Sequence, residues 1–398
     1  MPEQEITSRP DHVDWTLSPP SFAADHPDAL APYDLVVLMS FGGPEHTDEV
    51  MPFLRRVTRG RGVPDERLAV VAEHYYAHGG RSPINDQCRD LVAALRSELG
   101  RRGLTTEVTW GARNSAPFIS DVLADAAARG HRRVAVLTTS AYPSYSSCRQ
   151  YREDLAGARP DGMRVDRIRQ YALSDGFLAA NTDAVERALH TLPRPDRARV
   201  LFVTHSIPTA MAGTAGPASR PPDGSYVAWH QQVAARVLAE LRRRHTPDAG
   251  ADDDGLVGEL VYCSRSGPPA QPWLEPDVND RLRELGTQDP DRPVVLAPIG
   301  FVSDHMEVIN DLDVEAMESA TEAGLSCVRA ATAGTDPRFV AQLVDALVDR
   351  AEQARSEDAA GSVATGPTAG QAASGPGWTP CPTECCVNLR RPETPAIP

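Results

Sequence analysis

The stretch "RPVVLAPIGFVSDHMEVINDLDVEA", residues 292–316, joins two patterns that together decide the fold. Its first eight residues form an apolar run of the kind found in a buried strand. Past Gly300 the period changes. Met306, Ile309, Leu312 and Ala316 return at helical steps, as on the apolar face of a helix packed against a core. A strand running into an amphipathic helix is the building unit of a parallel α/β sheet.

The unit recurs along the chain. Strands are expected at "DLVVLMSF" (34–41), "TEVTWGA" (106–112), "RRVAVLTTS" (132–140), "MRVDRIRQ" (163–170), "ARVLFVTHS" (198–206), "GELVYCS" (258–264), "RPVVLAPI" (292–299) and "LSCVRAA" (325–331). Helical patterns fall between them, among them "DQCRDLVAALRSEL" and "SYVAWHQQVAARVLAELRRR", and a further one follows at "DPRFVAQLVDALVDRAEQARS". Such alternation implies parallel sheets covered on both faces, and eight strands over roughly 320 residues suit two αβα units. The expected division is a loose, Pro/Asp-rich extension at 1–32 and a first αβα domain at 33–150, completed by the C-terminal helix 310–355. A second domain at 151–309, a small-residue linker at 356–378 and a cysteine-bearing tail at 379–398 complete it.

Composition narrows the function classes. The 398 residues carry a net charge of −15, which argues against a nucleic-acid partner, because phosphate binding leaves a basic face. All 40 basic residues are Arg, a bias of composition to which no function is attached. No apolar run approaches the roughly 18 residues of a membrane span, and the start "MPEQEITSRPDHVDW" lacks the order of a signal peptide. A cytoplasmic protein is expected, with its seven cysteines as thiols or metal ligands. No heptad demands a partner chain, so a monomer is expected.

The chemistry collects where strands end, the place where open α/β sheets bind ligands. "SFGGPE" after the first strand lacks the G-x-G-x-x-G pattern and no G-x-x-x-x-G-K-[ST] occurs, so nucleotide binding has no support. "THSIP" places His205 at another strand exit, a position open to a structural or a catalytic histidine. His305 and Glu307 follow the strand at 292–299 in the same fashion. An imidazole and a carboxylate facing across a cleft can hold a divalent ion weakly or take protons from a ligand. Asp304, Glu307, Asp311 and Glu315 are separated by three, four and four residues, which on a helix makes one acidic stripe. That stripe is either a solvated face or a path for a cation.

The segments "LMSFGGPE", "YYAHGGRSPI", "FVTHSIP", "PWLEPDV" and "GFVSDHMEVINDLDVEA" resemble, in order and separation, the motif series of the ferrochelatases, over roughly residues 33–355. "TTSAYPSYSSCRQY" and the cysteine tail resemble the actinobacterial branch, whose enzymes act on coproporphyrin III. The resemblance implies two similar Rossmann-type αβα domains with a porphyrin cleft between them, and insertion of Fe²⁺ with release of two pyrrole protons. It makes His205 the residue that meets metal or takes pyrrole protons, and Glu307 its carboxylate partner. Asp311 and Glu315 become an acidic ladder leading away. Phe41, Trp273 and Phe301 are expected to shape the ring, with Ile299 as a further candidate or plain core. Phe41 departs from family members with Tyr there, since Phe cannot ligate iron. Arg59, Arg61, Ser82 and Tyr151 match positions near the substrate's propionates, which an Arg fork can grip.

Cys381, Cys385 and Cys386 lie within six residues, and with Cys148 they resemble the ligands of a [2Fe–2S] cluster in family members that carry one. Four thiolates suit such a cluster or a tetrahedral zinc site. Cys88, Cys263 and Cys327 read as core residues. Other readings kept open are chelation of another divalent metal, protoporphyrin IX as substrate, and a haem- or iron-binding redox sensor.

Overall fold

A computed structural model describes residues 29–245, 255–267, 270–361, 381–382 and 384–398. All eight expected strands form. They are β1 (Leu35–Ser40), β2 (Glu107–Ala112), β3 (Arg133–Thr138), β4 (Arg164–Arg167), β5 (Arg199–His205), β6 (Val257–Cys263), β7 (Val294–Ala297) and β8 (Cys327–Arg329). They make two four-stranded sheets of identical order, β2-β1-β3-β4 and β6-β5-β7-β8, every pairing parallel. Residues of β1 and β3 are buried throughout, as strands covered by helices on both faces must be. In each sheet the strand order reverses beside the first strand, so the crevice of each opens at the carboxyl end of β1 or β5. Those ends are Ser40, next to Phe41, and His205.

The boundaries differ from the expected ones. The first sheet does not close at residue 150: β4 pairs with β3 through Arg133↔Arg164 to Val136↔Arg167, so the domain runs on past 167. No single helix fills 310–355. Residues up to Glu322 and β8 stay with the second sheet, while the helix Pro337–Ala360 crosses back to pack on Ile84–Arg101 of the first domain and on Asp175–Leu189. That helix also takes up the first residues assigned to the linker at 356–378, whose remainder, from 362, lies outside the described residues. The extension assigned to 1–32 ends earlier. Leu30 is buried in the core and Arg355 donates to the Ala29 carbonyl at 3.2 Å; residues 1–28 lie outside the described residues.

The two sheets are fastened across their interface. Tyr142, on the loop after β3, donates to the Ile299 carbonyl after β7 at 3.1 Å, and the Asp304 amide donates to Gln87 at 2.8 Å. The tail folds back onto this body. Arg149 reaches the Thr394 carbonyl at 3.1 Å, and Arg152 reaches the Ile397 carbonyl at 2.6 Å.

Candidate active site

The carboxyl ends of β1, β5, β6 and β7 converge. His205 ends β5 and its Nδ1 donates to the Ser206 carbonyl, which leaves Nε2 facing Glu307. Nε2 lies 3.5 Å from Glu307 Oε2, and His305 Nδ1 approaches the same oxygen at 3.9 Å. Glu307 is 52 % exposed, so half of its side chain is open to the cleft. Burial raises its pKa, but the His205 hydrogen bond and the charges of His205, His305 and Arg61 bring it down to about 2. For His205, burial pushes downward and is outweighed by the hydrogen bond and charge of Glu307, so its pKa ends above the ordinary value. His305, which sequence reasoning left without a role, is pushed down by burial.

The acidic ladder forms in part. Glu307 stands on a short turn of helix, Met306–Val308, and Asp311 and Glu315 on the segment Ile309–Glu315, which is wound as a π-helix. Leu312 and Ala316 turn into the core behind them. Asn310 Nδ2 joins Asp311 at 3.2 Å to Glu315 at 2.9 Å, and Ser264 after β6 donates to Asp311. Ser264 adopts φ +63°, rare for a residue with a side chain, and so marks a strained position at a site. Burial raises Asp311 to a pKa of about 6, with the charges of Glu307 and Glu315 adding to the rise. Asp304 does not join the stripe. It precedes the helix and is engaged by Arg329, which also binds Asp313.

The wall residues divide. Phe41 is 37 % exposed and edge-on to Phe53 at 6.1 Å, a large apolar ring left open at the cleft. Trp273 is half-buried and bridges to Pro208, three residues beyond His205. Phe301 is largely buried, its ring edge-on to His305 at 5.1 Å, and Ile299 is core. Arg59 and Arg61 are exposed on the turn after the helix Val50–Val57. Partial enclosure, with the charges of Arg390 and Arg113, holds Arg61 below the ordinary guanidinium range. Ser82 and Tyr151, expected beside propionates, turn inward at 2 % and 4 % exposure. Tyr151 instead lies under the Arg113 guanidinium, 4.5 Å away, and Arg113 also lies 5.9 Å from the Phe41 ring. Arg113, Arg390 and Ser264 were missed in the sequence. Ser264 was findable, because it leaves β6 as His205 leaves β5.

Cys148, Cys381, Cys385 and Cys386 form one buried cluster. Arg167 donates to Cys381 Sγ at 3.3 Å and the Gly216 amide to Cys386 Sγ at 3.1 Å. Hydrogen bonds from the Cys148 and Cys385 thiols hold Cys381 and Cys386 well below the ordinary thiol range. Among the described residues, Arg167 Nε and Arg152 Nη1 are buried there without a hydrogen-bond partner. Four convergent thiols beside two buried guanidiniums fit an anionic, thiolate-ligated group. Among the described residues, no set of three or more His, Cys, Asp or Glu closes on a single ion. Cys88 and Cys263 are buried core and Cys327 is half-buried. No helix among the described residues is long and apolar enough to cross a membrane.

Comparison with known proteins adds independent findings. The ferrochelatase family profile matches residues 33–351. A coproporphyrin III ferrochelatase of Streptomyces griseus subsp. griseus is 48 % identical over 370 residues, covering 89 % of this chain and 94 % of that protein. One from Leifsonia xyli subsp. xyli is 44 % identical over 394 residues, covering 94 % and 96 %. Among solved structures, SirB from Bacillus subtilis with Fe³⁺ has a TM-score of 0.45 at 10 % identity, covering 82 % of this chain and 97 % of that one.

Proposed function

The chain belongs to the ferrochelatase family, and from that premise we propose that it inserts Fe²⁺ into coproporphyrin III, releasing two protons, as a step of haem synthesis. The observation that carries the reading is the pair His205 Nε2 and Glu307 Oε2, 3.5 Å apart and open to the cleft. With Nδ1 committed to the Ser206 carbonyl, Nε2 is the nitrogen that exchanges protons: charged, it donates to Glu307, and once neutral it presents its lone pair to an incoming pyrrole N–H or to iron. Glu307 stays anionic across the working range and offsets the positive charge that arises as His205 takes a proton. Asp311, with a pKa of about 6, exchanges protons near neutral pH, and Glu315 continues toward solvent. The same carboxylates suit a hydrated divalent ion moving inward, so proton exit and metal entry share one side of the cleft.

Phe41 and Trp273 offer apolar faces to hold the ring out of plane, with Phe301 backing His305. Arg59 and Arg61 are the exposed partners for propionates, and Ser82 and Tyr151 support this wall from behind, Tyr151 through Arg113. The four cysteines are the residues that would hold a [2Fe–2S] cluster, which when bound would supply a redox-sensitive crosslink between the tail and both domains. A cytoplasmic monomer fits this role.

The test is anaerobic Fe²⁺ insertion by the purified protein, followed by absorbance, with coproporphyrin III and protoporphyrin IX in parallel. Turnover of coproporphyrin III alone supports the reading. Preference for protoporphyrin IX overturns the substrate, and silence with both, from folded protein, overturns the activity.

A further inference from the structure

The cysteine cluster and the cleft are joined by a short run of contacts. The Cys386 amide donates to the Gly216 carbonyl at 3.1 Å while the Gly216 amide donates to Cys386 Sγ at 3.1 Å, a reciprocal clasp between the tail and the segment that follows His205. Gly216 has φ +98°, and a Cβ there would fall 2.2 Å from Ser225 Oγ, so the Ser225 side chain packs directly on the Gly216 backbone. The Ser225 amide donates to the Ala215 carbonyl at 2.8 Å. The next residue, Tyr226, is buried and donates its hydroxyl to the His205 carbonyl at 2.8 Å.

That last bond belongs to a network one proton short. His230 Nδ1 meets the Tyr226 carbonyl at 2.7 Å and Nε2 meets Thr204 Oγ1 at 2.8 Å. Thr204 Oγ1 lies 3.0 Å from the Tyr226 hydroxyl. These three contacts and the bond to His205 make four, but a neutral His230, Thr204 and Tyr226 supply three protons. Burial holds His230 down at a pKa of about 3, so the fourth is not made up by protonation. Tyr142 stacks on the ring at 3.5 Å and gives its own proton to Ile299. Since carbonyls only accept, Nδ1 carries the imidazole proton, and Nε2 can only accept, from Thr204. When Thr204 makes that bond, the Tyr226 proton has two acceptors, the His205 carbonyl and Thr204 Oγ1, and serves one at a time. Thr204 cannot retreat, because Gly300 packs against it so closely that a Cβ there would lie 2.2 Å from Oγ1. On the other side Tyr226 follows directly on Ser225, which packs against the clasp at Gly216.

We infer that Tyr226 is a positioning residue for His205, and that the Cys386–Gly216 clasp sets its place, so that the state of the cysteine site reaches the histidine of the cleft. A contiguous chain of contacts counts as coupling only when it contains an element with two arrangements, and the contested hydroxyl proton is that element. The functional part rests on the reading of His205 given above.

The test compares the full-length protein as purified with Cys386→Ser, Tyr226→Phe and the double variant. Hydrogen–deuterium exchange is followed in peptides covering Thr204–Ser206 and Ala215–Tyr226, alongside kcat and KM for Fe²⁺ at saturating coproporphyrin III. Expected are faster exchange in both peptides for Cys386→Ser, and a fall in kcat of about three- to ten-fold for Tyr226→Phe with KM little changed. The double variant should be no slower than the slower single one, since both act on one bond. Unchanged exchange at Thr204–Ser206 in Cys386→Ser, or losses that multiply, overturns the inference. Should Cys386→Ser not fold, the parent before and after removal of metal from the cysteine site supplies the same comparison. Exchange needs no turnover, so an inactive parent would sink the catalytic reading while leaving the coupling to be decided.

Discussion

Replacing Asp311 with Asn should make the protein more stable at neutral pH and poorer at metal insertion. The carboxyl has a pKa of about 6 against an ordinary 3.8, raised first by burial and then by the charges of Glu307 and Glu315. Two units correspond to about 3 kcal/mol of penalty on the charged form. Water in the cleft screens part of this, and Asn keeps only some of the bonds to Ser264 and Asn310, which leaves a net gain of about 1–2 kcal/mol for the variant. The sign with pH follows from the folded pKa lying above the unfolded one. The folded state holds this proton more tightly, so the penalty is full above pH 6, shrinks as pH falls, and is gone below about 3.8. Glu307 runs the opposite way, since its pKa is lowered to about 2: its stabilisation is full above pH 4.5 and is lost only as pH falls toward 2, outside this window. His205 titrates in both proteins and largely cancels in their difference. Urea unfolding of parent and variant between pH 4 and 8 measures the gap, and iron insertion is followed on the same samples. A variant less stable than the parent at pH 7.5, or a gap that does not change with pH, would refute the electrostatic account of the ladder.

His205→Ala with Glu307→Ala should lower iron insertion by about 10²–10⁴-fold while coproporphyrin III still binds, as read by fluorescence; undiminished insertion would mean the site is misassigned. Cys148→Ser should abolish visible absorption from the cysteine site and lower bound iron and sulfide together, and a coloured variant with unchanged iron and sulfide would contradict the cluster. Leu312→Ala empties a fully buried position behind the ladder and should cost about 2–5 kcal/mol in urea unfolding. A cost under about 1 kcal/mol would show that the ladder is not braced by the core.

Strands were legible because parallel sheets bury both faces, which writes each strand as an apolar run. Which sheet a strand joins is written nowhere locally. β4, "RVDR", is short, charged and at an edge, so nothing in it says that it belongs with β3 rather than with the strands that follow. The return of Pro337–Ala360 to the first domain is likewise a long-range choice that helical periodicity cannot express. At the site, His205 and Glu307 were readable from their places at strand exits. The separation of Asp304 from the stripe was not, because Arg329 lies 25 residues away in sequence and comes close only through β8. Ser82 and Tyr151 matched positions in a motif, but a motif does not say which way a side chain turns.

Winding Ile309–Glu315 as a π-helix has a consequence for how this segment tolerates changes in length. A π turn behaves as one residue too many in an α-helix. Deleting that residue would relax the backbone into ordinary α geometry and leave the helix Ala316–Glu322 in its present phase on the core. The residues within the turn would be re-spaced, which breaks the line from Glu307 through Asp311 to Glu315. The fold should therefore outlast a deletion that the ladder does not. The extra residue serves the alignment of the carboxylates, not the packing of the core.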